Sequence, residues 1–157
     1  MTYYFDDPLV DVTAHQLQTR PTGQSASLLG FPTQLVTATC SCGRWHNDKR
    51  WERSAHLETF DQHMHEVQEH AHATARLAER LTPSQLRLLV LVQDGVVTAT
   101  VGGHGVSGLA EPTSGTGDAT AALERLATDG WIVLPMGKVA ALTLEGRIAL
   151  LSRQPRS

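Results

Sequence analysis

The chain has 157 residues, 41% hydrophobic and 18% charged, which suits one or two small packed cores and excludes a disordered polymer. Its net charge of −3, from 13 basic and 16 acidic groups, excludes a protein that coats nucleic acid through charge alone. Residues 1–7 are acidic and no run reaches the roughly 20 apolar residues of a bilayer span, so the expectation is a cytoplasmic address without a membrane partner.

In chain order, residues 1–25 are mixed and broken at Asp7-Pro8 and Arg20-Pro21-Thr22-Gly23, with a weak pattern for a short helix over 9–18. Residues 26–39 read as two short strands around Gly30-Phe31-Pro32, the second rich in Val and Thr. Residues 43–48 read as a loop. Residues 53–80 then lack Gly and Pro, and Leu57, Phe60, Met64, Val67 and Ala71 recur at helical steps as one apolar stripe. The first half is therefore expected as a ββα unit whose helix is long.

Thr82-Pro83-Ser84-Gln85 opens the second half as a helix start, with Thr82 as cap, Pro83 in the first turn and Gln85 completing a capping box. Glycine closes that helix at Asp94-Gly95. Residues 96–101 and 106–109 are expected as a hairpin around Gly102-Gly103-His104-Gly105. A polar loop follows, then a helix from Asp118 to Asp129 closed by Gly130, a two-stranded wing around Pro135-Met136-Gly137-Lys138, and a last helix over 145–153.

The chemistry concentrates in the first half. Five of the eight histidines fall at 56, 63, 65, 70 and 72, and the only two cysteines, Cys40 and Cys42, lie just upstream. Cysteines one residue apart are poor disulfide partners, whereas thiolate and imidazole are the ligands zinc prefers. The expected set for a structural zinc is Cys40, Cys42 and His70, with His63 or His65 as the fourth ligand. His63 and His70 sit about 10.5 Å apart along a regular helix, so one of them needs a local distortion to share an ion. The competing reading is a solvated histidine-rich helix beside two small buried thiols. A hydrolytic zinc, with Glu66 or Glu69 as base, lacks the His-Glu-x-x-His spacing that chemistry uses.

Between the cysteines and the helix, residues 44–53 pack four cationic groups and two tryptophans into ten positions. Arg44, Lys49 and Arg50 are suited to phosphates and tryptophan to bases. Alternatively, Trp45 and Trp51 cover the metal site while Asp48 and Glu52 offset the charge.

Ala122-Leu123-x-x-Leu126, Gly130-Trp131-Ile132 and Leu142-Thr143-Leu144-Glu145-Gly146-Arg147 resemble the end of a winged-helix domain of the MarR/PadR-like transcription factors. The resemblance covers about the last seventy residues. It implies that the helix before the wing is a recognition helix, which offers Thr120 and Arg125, and that the wing offers Lys138. Together with the first half, the arrangement resembles small actinobacterial regulators that join a zinc-finger-like unit to a winged helix.

The expectation is thus an α+β protein with a zinc-finger-like module over 1–80 and a winged helix-turn-helix-like domain over 81–157. Its function would be that of a DNA-binding transcriptional regulator with a structural zinc, not an enzyme, acting on double-stranded DNA. The long helix is a candidate homodimer surface. The rival is a module whose winged helix binds a protein partner, favoured by the near-neutral charge and by Asp118 and Glu124 on the recognition helix.

Overall fold

The structure, a computed structural model, describes residues 3–28, 30–100, 103–106, 116–135 and 139–153. The chain is α+β, and its contacts divide it into two units, Met1–His70 and Ala71–Ser157.

The first unit opens with two 3₁₀ turns, Tyr4–Asp6 and Val12–Ala14, where a helix over 9–18 was expected. Asp7 explains part of this. Its carboxylate accepts from the Leu9 amide at 3.0 Å and from Gln68 Nε2 at 2.8 Å, so it turns the backbone instead of extending a helix. Three antiparallel strands follow, β1 (Leu17–Leu28), β2 (Phe31–Cys40) and β3 (His46–Trp51), with β2 in the centre. The helix α1 (Arg53–Ala78) comes next, and the unit boundary falls within it. The order is therefore βββα rather than ββα. The added strand is the segment expected as a loop; it is an edge strand of mostly exposed polar residues, so no apolar alternation marks it.

Val36, Ala38 and Cys40 alternate as the buried face of β2. On α1 the inward residues are His56, His63, Met64 and Gln68, while Leu57, expected in the apolar stripe, is 49% exposed. His56 is fully buried and its Nε2–H donates to the Val36 carbonyl at 2.7 Å. The large apolar core of this unit is small, with Tyr4, Leu9, Val10, Val36 and Met64 its main members.

In the second unit α2 (Pro83–Gln93) starts with the expected capping box. Thr82 Oγ1 accepts from the Gln85 amide at 3.2 Å, and Gln85 Oε1 accepts from the Thr82 amide at 2.9 Å. The hairpin β4 (Val97–Thr100) and β5 (Gly103–Val106) returns three residues earlier than expected. Then come α3 (Thr116–Thr128), the short pair β6 (Ile132–Val133) and β7 (Ala141–Leu142), and α4 (Leu144–Arg153). Leu89, Val92, Val97, Leu123, Leu126, Ile132, Ala149 and Leu150 make one core.

Thr143 and Gly146 give the Leu-Thr-x-x-Gly pattern a physical cause. The Thr143 hydroxyl accepts from the Gly146 amide at 3.1 Å, capping α4, and lies 2.7 Å and 2.9 Å from the carbonyls of Gly130 and Trp131. A β-carbon on residue 146 would collide with the Trp131 carbonyl, so only glycine fits. Among the described residues, no helix is long and apolar enough to cross a membrane.

Candidate metal centre

Four side chains converge at one end of the sheet: His15, Cys40, Cys42 and His63. One ligand atom from each lies within 4.8 Å of the other three, so the group could hold a metal ion. Cys40 Sγ is 3.6 Å from His15 Nδ1, and Cys42 Sγ is 3.7 Å from His63 Nε2. His15, Cys40 and His63 are buried and Cys42 is half-buried.

Each ligand is placed by local chemistry. Cys40 ends β2 on its buried face, and Cys42 lies in the turn toward β3. Gly43 takes a φ of +74°, which lets the turn close, and the Arg44 amide then points at Cys42 Sγ from 3.4 Å. His15 arrives from 25 residues upstream because Leu17 pairs with Cys40. Ser41 locks that approach. Its hydroxyl accepts from the Gln16 amide at 2.7 Å and donates to the Ala14 carbonyl at 3.0 Å, and its own amide donates to the Gln16 carbonyl at 2.9 Å. The backbone on both sides of His15 is thus held against the cysteine turn.

Trp45 stacks nearly parallel on the His63 ring, with centroids 5.8 Å apart, and meets Phe60 edge-on at 5.6 Å. Burial holds the imidazoles of His15 and His63 below the usual histidine range, with the His63 ring adding to the effect on His15 and Glu66 opposing that on His63. Burial pushes the Cys40 thiol up to about 11. At neutral pH Cys40 is therefore a thiol and the imidazoles of His15 and His63 are neutral. A cation would draw the proton from Cys40 and find the imidazoles already in their ligating form.

Of the residues expected as ligands, Cys40, Cys42 and His63 come together. His65 does not join them: it pairs with Asp61 at 3.3 Å and lies edge-on to Tyr4. His70 is on the exposed side of α1, outside the group. His15 was missed, since no local spacing links it to the cysteines and only strand pairing does. The tryptophans divide: Trp45 covers the cluster, whereas Trp51 packs on His56.

Arg44 is exposed in the turn, and Lys49 and Arg50 are exposed on β3. The Lys49 ammonium sits 4.5 Å above the Trp51 ring, and Arg50 Nη1 donates to Gln24 Oε1 at 2.9 Å. Arg125 is exposed on α3, Thr120 lies in the same helix, and Lys138 lies outside the described residues.

No family model, curated protein or solved structure matches this chain.

Proposed function

We propose that the chain is a DNA-binding transcriptional regulator whose first unit is built around a structural zinc ion held by His15, Cys40, Cys42 and His63. One observation carries the zinc reading. A tetrahedral zinc bound at about 2.3 Å to sulfur and about 2.0–2.1 Å to nitrogen requires sulfur–nitrogen edges of about 3.6 Å. The two pairs here measure 3.6 Å and 3.7 Å. Four protein ligands leave no open position for water, which favours a structural over a hydrolytic ion. The small apolar core of the first unit is the setting in which a metal staple adds most.

The DNA reading rests on less. It is supported by the sequence of helix, hairpin, helix, short hairpin and helix in the second unit, and by the backbone bond from Ala140 to the Val97 carbonyl at 3.0 Å, which joins the two hairpins. It is also supported by the exposed edge of α3 at Ala121, Glu124, Arg125 and Thr128, next to Trp131 and β6. Arg125 supplies the base or phosphate contact, and Arg44, Lys49 and Arg50 supplement it from the first unit.

The test is selection of duplexes from a randomised 40-base-pair pool by the zinc-loaded full chain, followed by salt titration. Enrichment with a steep loss of binding at higher salt is expected. Arg125→Ala should weaken the enriched duplex selectively, and Lys49→Ala should weaken all duplexes alike. Salt-independent retention, or none, removes the DNA reading and leaves the zinc reading standing.

One observation favours a protein partner instead. Leu86, Val90, Leu91 and Leu150 line an apolar groove of about 570 Å³ in the second unit, with Arg87 and Arg153 at its border. Capture of an amphipathic acidic segment there would make the second unit an interaction module.

A further inference from the structure

The four residues of the cluster differ in their access to solvent. His15, Cys40 and His63 are 7%, 2% and 8% exposed, whereas Cys42 is half-buried. Trp45 lies over His63, the His63 ring neighbours that of His15 at 5.7 Å between centroids, and Cys40 faces inward from the end of β2. Cys42 instead stands in the turn between Ser41 and Gly43, both exposed, with exposed Arg44 next. A β-carbon built on Gly43 would meet nothing within 4 Å, so the flank of this turn is open.

That asymmetry has a chemical consequence. With zinc bound, both cysteines are thiolates, because a coordinated thiol gives up its proton. Oxidation of cysteine follows thiolate character and exposure together. Thiolate character is common to the pair, so exposure decides between them, and it singles out Cys42.

We propose that Cys42 is a peroxide-oxidation site through which the first unit senses oxidant and releases its zinc. The proposal rests on the reading that His15, Cys40, Cys42 and His63 hold zinc. Cys42 Sγ attacks one oxygen of hydrogen peroxide, so that an S–O bond forms and the O–O bond breaks. The sulfur is oxidised by two electrons to the sulfenic acid, and the second oxygen leaves as hydroxide. Zinc then keeps three of its four ligands and is lost to a competing chelator. Cys40 does not close a disulfide, since cysteines one residue apart meet its geometry poorly. The oxidised state therefore stays open to reduction by an external thiol.

The turn itself does not depend on the ion. Ser41 bonds to Ala14 and Gln16, and Leu17 pairs with Cys40, without a metal between them. Oxidation removes the tie from this turn to His63 on α1 and leaves His15 and both cysteines in register for reloading.

The test treats the zinc-loaded full chain with hydrogen peroxide beside a chromophoric zinc chelator, with dimedone present to trap sulfenic acid. About one zinc per chain should be released, and dithiothreitol with added zinc should restore it when dimedone is left out. Tandem mass spectrometry should place dimedone on Cys42 in about 10-fold or greater excess over Cys40. Cys42→His keeps four ligands without the exposed thiol and should release zinc about 10-fold more slowly. The wild-type adduct map decides by itself if that variant binds no zinc. Dimedone first on Cys40, or a Cys40–Cys42 disulfide with no adduct, overturns the proposal. So does zinc retained under peroxide that fully oxidises free cysteine in a parallel tube, and that outcome keeps the structural-zinc reading. A wild-type chain that takes up no zinc overturns both.

Discussion

His15 Nδ1 lies 3.6 Å from Cys40 Sγ, although 25 residues separate them in the chain. Their meeting depends on the pairing of Leu17 with Cys40 and on the three bonds of Ser41. The four-residue cluster thus draws on three separate pieces: the segment before β1, the end of β2 with the turn that follows it, and α1. An ion shared by all three would fix the sheet to the helix in a unit with few large buried apolar side chains.

Removing a ligand should therefore act on one unit. Cys40→Ser and His15→Ala are expected to abolish one equivalent of bound zinc and to lower the melting of the first unit by about 10 °C or more. The transition of the second unit should not move. His65→Ala and His70→Ala should retain the metal. Elemental mass spectrometry with calorimetry checks all four, and equal metal in Cys40→Ser would remove that thiol from the site.

Zinc affinity should rise with pH. The Cys40 thiol, pushed up to about 11, is protonated at neutral pH and must lose its proton to ligate. Each proton released makes affinity climb about tenfold per pH unit between pH 6 and 8. Burial lowers the imidazoles of His15 and His63 below 6.5, so they are in their ligating form at pH 7 and above, and any slope they add falls on the acid side. Competition with a chelator across that range measures it, and a flat profile would contradict thiolate ligation.

Gly146→Ala should destabilise the second unit by about 2 kcal/mol or more, because the colliding group is the Trp131 backbone carbonyl and cannot rotate aside. Thr143→Val removes the cap of α4 and should cost about 1–2 kcal/mol. Arg147→Ala, at an exposed neighbouring position, should stay within about 0.5 kcal/mol. Urea unfolding separates the three.

The hydrogen bond from Tyr4 at 2.8 Å lowers the Asp61 carboxyl below its usual 3.8, helped by Tyr3 and His65. A lowered carboxyl stabilises the fold above its unfolded value, and the gain fades as pH falls from 3.8 through the folded value. Asp61 is well exposed, so the effect is small. Asp61→Asn should melt slightly below wild type at pH 7, and the gap should close below about pH 4. A gap that persists in acid would assign the loss to packing.

What was legible in the sequence was local. Thr82, Pro83 and Gln85 announce α2 because capping is settled within four residues. Cys40 and Cys42 announce a ligand pair for the same reason. His15 was hidden because a register placed it, and that register is not the one the tip predicts. Pairing from Leu28 with Phe31 would carry Thr19 to Cys40, whereas the bulge at Thr22–Gln24 delivers Leu17. The choice among histidines turned on helical phase. His56 and His63, two turns apart, face inward while Leu57 faces out, so apolar identity alone misjudged which side of α1 is buried.

The stack of Trp45 on His63 gives the molecule its own optical gauge. An indole laid on a ligating imidazole responds to the charge and tautomer of that ring, so filling or emptying the centre would change its emission. Trp51 lies on a histidine outside the cluster and Trp131 in the other unit, so the difference between wild type and Trp45→Phe isolates the signal. Metal loading can then be followed in real time without a label, in the same cuvette as the unfolding it controls.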